Sequence, residues 1–190
     1  NSEIGPRALG NRSLIGDPRY MQTKDILNTV KKRQWWRPVA PVVLDEYGTE
    51  WFDDYFYSPN MLLNFVVKSQ YRDKVPAILH FDNTARVQSV SSDSNSMLHE
   101  LLMAFYKETG VPILCNTSLN DAGEPIINTL DQAIAFALHK GIKYVYCNGK
   151  KRIQLKTDTD VYGKAFDYRE EYFFAPKNDV DIESMVKKQN

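Results

Sequence analysis

The segment Val111-Pro112-Ile113-Leu114-Cys115 is apolar, and the polar segment Asn116-Thr117-Ser118-Leu119-Asn120 follows it directly. The apolar half predicts a short buried strand, and the polar half predicts a turn at the end of that strand. Helix patterns lie on both sides, over residues 95–109 and from about residue 129 to residue 141. A buried strand between two amphipathic helices is typical of an α/β domain.

Shorter patterns extend this architecture over most of the chain. A further helix is predicted over residues 23–33, with Thr23 as its N-cap, and a short helical turn within residues 51–57. Strands are predicted over six other segments: residues 40–44, 61–67, 77–81, 85–90, 144–147 and 151–155. We therefore expect a twisted mixed sheet with flanking helices in a domain of residues 1–156, followed by a C-terminal extension of residues 157–190.

Composition indicates a folded, globular protein. The chain has 190 residues, of which 43% are hydrophobic, and its formal net charge is zero. No apolar stretch is long enough to cross a bilayer and no secretory leader opens the sequence, so we expect a cytoplasmic protein without a membrane partner. Cys115 and Cys147 lie in apolar runs and are predicted to be reduced core thiols. Because the first residue is Asn1 rather than Met, we expect a piece of a longer polypeptide.

Arginines are concentrated near the amino-terminal end. Five of them stand within the first 37 residues, a segment that holds eight lysines and arginines against three acidic residues. Arg7 lies in Gly5-Pro6-Arg7-Ala8-Leu9-Gly10-Asn11-Arg12-Ser13, where glycines permit tight turns and the proline stiffens the backbone. A guanidinium group on a stiff turn can grip two oxygens of a phosphate or carboxylate. A solvated loop with surface arginines is the alternative.

A second basic segment, residues 31–38, surrounds two tryptophans. Lys31 and Arg37 flank Trp35 and Trp36. Phosphate contacts together with base stacking would suit either a nucleic acid or a single nucleotide. The alternative is an ordinary helix end, at which cations favour the negative end of the dipole and the tryptophans enter the core.

Two internal segments place polar groups among apolar neighbours. Arg86 stands within the predicted strand 85–90, so it needs a buried partner, which is either a bound phosphate or an internal carboxylate. Asn116 and Ser118 would project to the same side if strand geometry persists beyond Cys115. A polar turn that satisfies its own backbone is the alternative for these two residues.

The sequence lacks the common catalytic signatures. It contains no phosphate-binding loop ending in Gly-Lys-Ser/Thr, no dinucleotide glycine fingerprint and no zinc-ligand spacing. The three histidines, His80, His99 and His139, are scattered, and the last two are predicted on solvated helix surfaces. Any reaction is therefore expected to depend on positioning and electrostatics, with no metal held by the chain itself.

Several motifs nevertheless occur in a specific order. They are Gly-Pro-Arg-Ala-Leu-Gly-Asn-Arg-Ser with Asp17-Pro18-Arg19, Lys-x-Arg-x-x-x-Arg-Pro-x-Ala-Pro over residues 31–41, Thr-Ala-Arg-Val-Gln over residues 84–88, Asn-Thr-Ser-x-Asn over residues 116–120, and Gly123-Glu124-Pro125. In this order they resemble the C-terminal domain of ATP-dependent O-carbamoyltransferases, the family of nodulation-factor, cephamycin and tobramycin carbamoylating enzymes. The resemblance covers roughly residues 2–150 and implies a YrdC-like fold.

The resemblance also implies a reaction, in which the domain binds ATP and carbamoyl phosphate and forms carbamoyl-adenylate. Carbamoyl phosphate would be held by the residues that also serve catalysis, Arg7, Lys31 and Arg37. The nucleotide and its phosphates would be contacted by three further residues, Arg86, Asn116 and Ser118. Arg12 and His80 would belong to the surroundings of this site.

Cofactors and partners follow from the same resemblance. Mg²⁺ would be held mainly by phosphates rather than by protein side chains. In complete enzymes of the family, a Kae1-like domain with a histidine-ligated iron precedes this one and passes the carbamoyl group to an acceptor hydroxyl. We expect that domain as a partner in the same polypeptide, and a homodimer is a further expectation. The alternatives are a double-stranded-RNA-binding module, because YrdC-like folds resemble such binders, and a docking domain with a degenerate pocket.

Overall fold

The computed structural model describes residues 3, 5, 7–148 and 151–155. The strands and α-helices of these residues are, in chain order, β1 (Ser13–Gly16), α1 (Met21–Val30), β2 (Ala40–Leu44), α2 (Asp45–Trp51), β3 (Asn64–Val66), β4 (Thr84–Arg86), β5 (Gln88–Val90), α3 (Ser96–Thr109), β6 (Ile113–Ser118), α4 (Leu130–His139), β7 (Tyr144–Cys147) and β8 (Lys151–Gln154). The predicted extension of residues 157–190 lies outside the described residues. Within the described part, no helix has the length and apolar character that crossing a membrane requires.

A four-stranded mixed sheet forms the centre of the fold. Its order is β1-β6-β2-β5, in which β2 and β5 run parallel and the other neighbours run antiparallel. β2 is buried at all five positions. Val42 and Leu44 pack in the cluster that contains Leu98 and Leu102 of α3, whereas Val43 packs in the larger core with residues of α1 and α4. Both faces of the sheet are covered, and the predicted α/β architecture with a mixed sheet is confirmed.

Strand β6 continues through the polar residues that the sequence predicts as a turn. β1 pairs with it antiparallel, so that Ser13 lies opposite Ser118 and Ile15 lies opposite Asn116. This pairing extends the hydrogen-bonded ladder beyond Cys115. The predicted turn is therefore wrong for residues 116–118, and the chain bends only at residues 119–120. Asn116 and Ser118 share one face of the strand, as the period of two requires.

The single strand predicted over residues 85–90 divides at Val87. Before this residue, β4 pairs with β3 in a separate two-stranded sheet. After it, β5 pairs with β2 in the main sheet. Val87 itself donates its backbone N–H to the carbonyl of Leu63 at 3.1 Å. Arg86 and Gln88 are thus two residues apart in the chain but belong to different sheets.

Three local predictions differ from the structure. Residues 77–81 do not form a strand: Pro76–Ile78 is a 3₁₀ turn, because a proline at its start cannot donate to a ladder. The strand predicted over residues 61–67 is confined to β3. Residues 51–57 do not form a helical turn, since α2 ends at Trp51 and Phe52 is already extended.

Side chains cap α3 and α4, whereas the cap predicted for α1 is wrong. The side chain of Asn95 caps α3, Gly110 ends it in the left-handed region at φ 71°, and a capping box at Thr129 opens α4. α1, however, begins at Met21 without a side-chain cap, and Thr23 lies inside its first turn. The β7–β8 pair forms as predicted.

Candidate functional site

A small polar cavity lies at the carboxyl end of β6. Its volume is about 70 Å³, and its lining comes from the loop before β1, the turn after α1, β4 and β6. It brings together four of the residues that the sequence predicts for the site: Arg7, Arg86, Asn116 and Ser118. Complete small-molecule sites occupy about 300–1,000 Å³, so this cavity suits a phosphate-sized group rather than a whole nucleotide.

Four arginines converge at this cavity. Arg7, Arg33 and Arg86 line it. Burial, followed by the charges of Arg37 and Arg86, lowers the pKa of Arg33 to about 10. Burial, followed by the charges of Arg7 and Arg37, lowers the pKa of Arg86. The exposed Arg37 therefore also lies close to the three arginines that line the cavity. Among the described residues, no carboxylate forms an ion pair with any of the four. An anion bound here would replace mutual repulsion by attraction.

Hydrogen-bond donors within this arginine cluster are left unused. In the described part of the chain, Nε of Arg7, Nη2 of Arg33 and Nε of Arg86 are buried and have no acceptor. Arg33 is fixed by its own Nε, which donates to the side-chain oxygen of Asn28 at 2.5 Å. Asn28 also donates to the carbonyl of Arg37 at 2.9 Å, which holds the turn after α1. Unmet donors on fixed guanidinium groups suit the oxygens of a phosphate.

Lys31 is held beside the cavity by oxygens of the protein. Its ammonium donates to the carbonyl and hydroxyl oxygens of Ser118 at 2.6 and 3.0 Å, and to the carbonyl and side-chain oxygens of Asn120 at 3.0 and 2.6 Å. Burial, followed by the charge of Arg33, lowers the pKa of Lys31 to about 7. The charge of Asp121 acts in the opposite direction but does not outweigh them. Lys31 therefore fixes the end of β6 and keeps Ser118 in place.

The loop that carries Arg7 is docked onto β5 and β6 by two side-chain amides. Gln88 donates through Nε2 to the carbonyl of Leu9 at 2.9 Å. Asn116 donates through Nδ2 to the carbonyl of Ala8 at 3.1 Å and to Oε1 of Gln88 at 2.7 Å. Asn116 is 1% exposed, and its Oδ1 has no hydrogen-bond partner among the described residues.

A buried ion pair supports the segment after β6. Nζ of Lys140 donates to Oδ2 of Asp121 at 2.8 Å, and Nζ of Lys32 lies 3.7 Å from the same oxygen. The side chains of Lys140 and Asp121 are 4% and 2% exposed. Burial is the largest single effect and acts to raise the pKa of Asp121. The hydrogen bonds from Lys140 and the backbone of Ala122, together with the charges of Lys140 and Lys32, outweigh it, and the pKa is lowered. Because Asp121 follows Asn120, the pair anchors the residues that accept from Lys31.

A second cavity, of about 480 Å³, shares Pro38 with the first. Its other lining residues are mostly apolar: Met21, Lys24, Trp36, Pro76, Leu79, His80 and Phe81. Trp35 and Trp36 are 60% and 50% exposed, so the alternative in which they enter the core is wrong. His80 stands in this cavity, and burial lowers its pKa. Arg12 lines neither cavity and donates to the carbonyl of Asn128.

Two residues that shape the site were not predicted from the sequence. Arg33 lines the cavity, and the Lys-x-Arg spacing at residues 31–33 is the signal that could have identified it. Glu3 accepts the backbone N–H groups of Leu9 and Arg12 at 2.6 and 3.0 Å, and so shapes the loop that carries Arg7. No sequence pattern indicates this role, since a lone carboxylate near a turn is common.

The described residues do not form a metal site at this cavity. They contain no group of three or more His, Cys, Asp or Glu side chains placed to hold an ion. The cavity lining presents guanidinium, amide and hydroxyl groups, whereas Mg²⁺ prefers carboxylate, phosphate and water oxygens. A protein-held Mg²⁺ therefore does not fit here, and a magnesium ion would have to be carried by the phosphates of a ligand.

We expect the affinity of this site for sulfate to fall as the pH rises through about 7, because Lys31 loses its charge near that pH. Charged Lys31 favours an anion, so binding takes up a proton above that pH. Sulfate keeps its charge throughout, and calorimetry on both sides of this pH measures the change. In the Lys31→Met protein the fall should be absent, while His80, whose pKa is lowered by burial, still titrates on the acid side. Identical pH profiles in the two proteins would assign the step to another group.

Comparisons with known sequences agree with the motif order. The family described as carbamoyltransferase C-terminus matches residues 1–151. Nodulation protein U of Rhizobium tropici is 40% identical over 148 residues, covering 78% of this chain and 25% of that protein. Nodulation protein NolNO of Sinorhizobium fredii is 46% identical over 137 residues, covering 70% and 20%. The 3'-hydroxymethylcephem-O-carbamoyltransferase of Amycolatopsis lactamdurans is 41% identical over 140 residues, covering 74% and 26%. The chain thus spans about a quarter of the length of these relatives.

Proposed function

Because the chain belongs to the carbamoyltransferase C-terminal family, we propose that it forms carbamoyl-adenylate from ATP and carbamoyl phosphate. The observation that supports this best is the cluster of four arginines around one cavity, with no carboxylate partner among the described residues. Both substrates are polyanions, and bringing them together requires concentrated positive charge. The cavity accommodates a phosphate-sized portion of one of them.

The proposed reaction has two parts. Hydrolysis of carbamoyl phosphate gives carbamate and phosphate. A carbamate oxygen then attacks the α-phosphorus of ATP, a new O–P bond forms, and pyrophosphate leaves with the electron pair of the broken P–O bond. The chain supplies no covalent nucleophile to these steps. Its residues hold the reactants in line and neutralise the charge that they bring together.

The residue roles in this proposal combine the family resemblance with the lining of the cavity. The carbamoyl phosphate group is assigned to Arg7, Lys31 and Arg37, as the resemblance implies, with Arg33 added because it lines the same cavity. The nucleotide phosphates are assigned to Arg86 and Ser118. Lys31 acts in two ways in this proposal, since it supplies charge and also fixes Ser118 through two hydrogen bonds. Mg²⁺ would enter with the phosphates of ATP.

Transfer of the carbamoyl group to an acceptor hydroxyl belongs, in this proposal, to a Kae1-like domain of the same polypeptide and its iron. A homodimer and a cytoplasmic location stay predictions. The exposed Trp35 and Trp36 are the feature that favours an RNA-binding module instead. Against it, Lys31 is buried and Arg33 lines a cavity, so neither lies on a surface that a duplex could contact.

We expect this chain to release pyrophosphate from ATP when carbamoyl phosphate is present and not when it is omitted. A coupled pyrophosphatase assay measures the release. The Arg33→Met protein should be slower by about a hundredfold or more, because one preorganised donor is lost. Arg152, an exposed arginine of β8 that lines neither cavity, is the matched control, and Arg152→Met should behave as the unaltered protein. The proposal is wrong if no pyrophosphate appears and calorimetry detects binding of neither substrate.

A further inference from the structure

We infer that Asn116 recognises the amide end of the small phosphorylated substrate, with its Oδ1 accepting an N–H hydrogen bond from the carbamoyl group. This inference rests on the proposed function and changes the role that the family resemblance gives to Asn116, which is contact with the nucleotide. It makes Asn116 the residue that separates a carbamoyl substrate from other acyl phosphates.

The orientation of the Asn116 side chain is fixed by a relay of hydrogen bonds. Gln88 must present Nε2 to the carbonyl of Leu9, which lies 2.9 Å away, because only the amide nitrogen can donate. Its Oε1 then faces Asn116 at 2.7 Å and requires a donor there. Nδ2 of Asn116 supplies that donor and a second one to the carbonyl of Ala8. Turning the Asn116 amide over would place its oxygen against two acceptors, so Oδ1 remains the atom without a partner.

The unpartnered oxygen belongs to a residue that lines the cavity, and the other unmet groups on the described lining residues are all donors. Asn116 lines the cavity together with Arg7, Arg33 and Arg86. Oδ1 is shielded from solvent and accepts no hydrogen bond from the described residues, while each of these arginines has one buried nitrogen without an acceptor. A buried acceptor without a donor is costly. A ligand that satisfies the whole set must carry both anionic oxygens and an N–H or O–H group.

Carbamoyl phosphate has this combination of groups. Its phosphate oxygens match the guanidinium donors, and its amide nitrogen carries the hydrogen that Oδ1 of Asn116 lacks. Acetyl phosphate has the same shape, with a methyl group in place of the amide nitrogen, so it would leave Oδ1 unpaired. Leaving a buried acceptor unpaired is expected to weaken binding by about ten- to a hundredfold.

The test compares two stable ligands in which a methylene group replaces the bridging oxygen, phosphonoacetamide and phosphonoacetone. They differ only in an amide nitrogen against a methyl carbon. Calorimetry on the unaltered chain should show phosphonoacetamide binding about ten- to a hundredfold more tightly. The Gln88→Met protein lacks one of the two acceptors that orient the Asn116 amide, and only the carbonyl of Ala8 remains. The ratio of the two affinities should therefore fall. Gln154→Met, on the exposed strand β8, is the matched control and should keep the ratio.

The outcomes separate the inference from the function on which it rests. Equal affinity of the unaltered protein for both ligands overturns the role of Asn116 but leaves the arginine cluster as a phosphonate site. Failure to bind either ligand counts against both the inference and the proposed function. A preference for the amide that is undiminished in Gln88→Met rules out the relay. The first comparison changes only the ligand, so it stands even if the Gln88→Met protein does not fold.

Discussion

In the Arg86→Met protein we expect the affinity for ATP to fall by about 2–5 kcal/mol, while the free energy of unfolding stays unchanged or rises. Arg86 lines the small polar cavity at the end of β6, and its buried Nε has no acceptor among the described residues. The charges of Arg7 and Arg37 repel it. Removing its charge takes away a ligand contact but also relieves that repulsion in the empty protein. Methionine keeps the apolar length of the side chain. Calorimetry measures the first quantity and urea unfolding the second.

A loss of ATP affinity without a loss of stability distinguishes a binding residue from a structural one. A structural arginine would lower the affinity and the stability together. Arg152→Met is the matched control, and we expect neither quantity to change in it, because Arg152 is exposed and lines neither cavity. Full-strength ATP binding in Arg86→Met would remove this residue from the nucleotide site.

Replacement of Asp121 by alanine is expected to lower the free energy of unfolding by about 3–5 kcal/mol. The substitution leaves the buried Lys140 without the carboxylate that lies 2.8 Å from its ammonium. It also removes the counter-charge that lies 3.7 Å from Lys32. Equilibrium unfolding in urea measures the loss. Lys31 should lose order as well, since Asn120, which accepts two of its hydrogen bonds, directly precedes the substituted residue.

The control for this prediction is the double variant Asp121→Leu with Lys140→Met. Replacing both members of a buried pair by apolar side chains is often neutral or stabilising, so this protein should recover most of the loss. The pKa of Asp121 is lowered in the folded protein, hence the pair stabilises above the ordinary carboxyl pKa, and the gain is lost as the pH falls through the folded pKa. Equal stability of Asp121→Ala and the unaltered protein would show that the pair contributes little.

The architecture of the main sheet follows from local patterns in the sequence. Strand β2 and the ends of α3 and α4 were predicted because apolar runs, caps and glycine stops act over a few residues. The extension of β6 to Ser118 was not predicted, since it depends on β1, a strand about one hundred residues away in the chain. For the same reason the division at Val87 was missed: its two halves find different distant partners. The prediction that both cysteines lie in the core holds for Cys115, which is buried, whereas Cys147 is only half-buried.

The candidate site was predicted as a set of residue types but not as a geometry. Arg7, Arg86, Asn116 and Ser118 do line one cavity. Lys31, by contrast, is committed to oxygens of the protein, which no local pattern could indicate because Ser118 lies 87 positions further along the chain. Buried lysines need several acceptors, and only the folded chain can bring them together. The resemblance therefore supplied the residues of the candidate site, while the structure distinguishes residues that line the cavity from residues that support it.

Because the chain passes from one sheet to another at Val87, the length of the segment formed by β4, Val87 and β5 can vary little in evolution. One residue separates β4, which carries Arg86 to the cavity, from β5, which carries the amide that orients Asn116. An insertion or deletion between them would shift one strand by a residue and reverse the faces of its side chains. Homologous chains should therefore conserve the length of the segment and keep an apolar residue at its middle position, because Val87 is fully buried in the core.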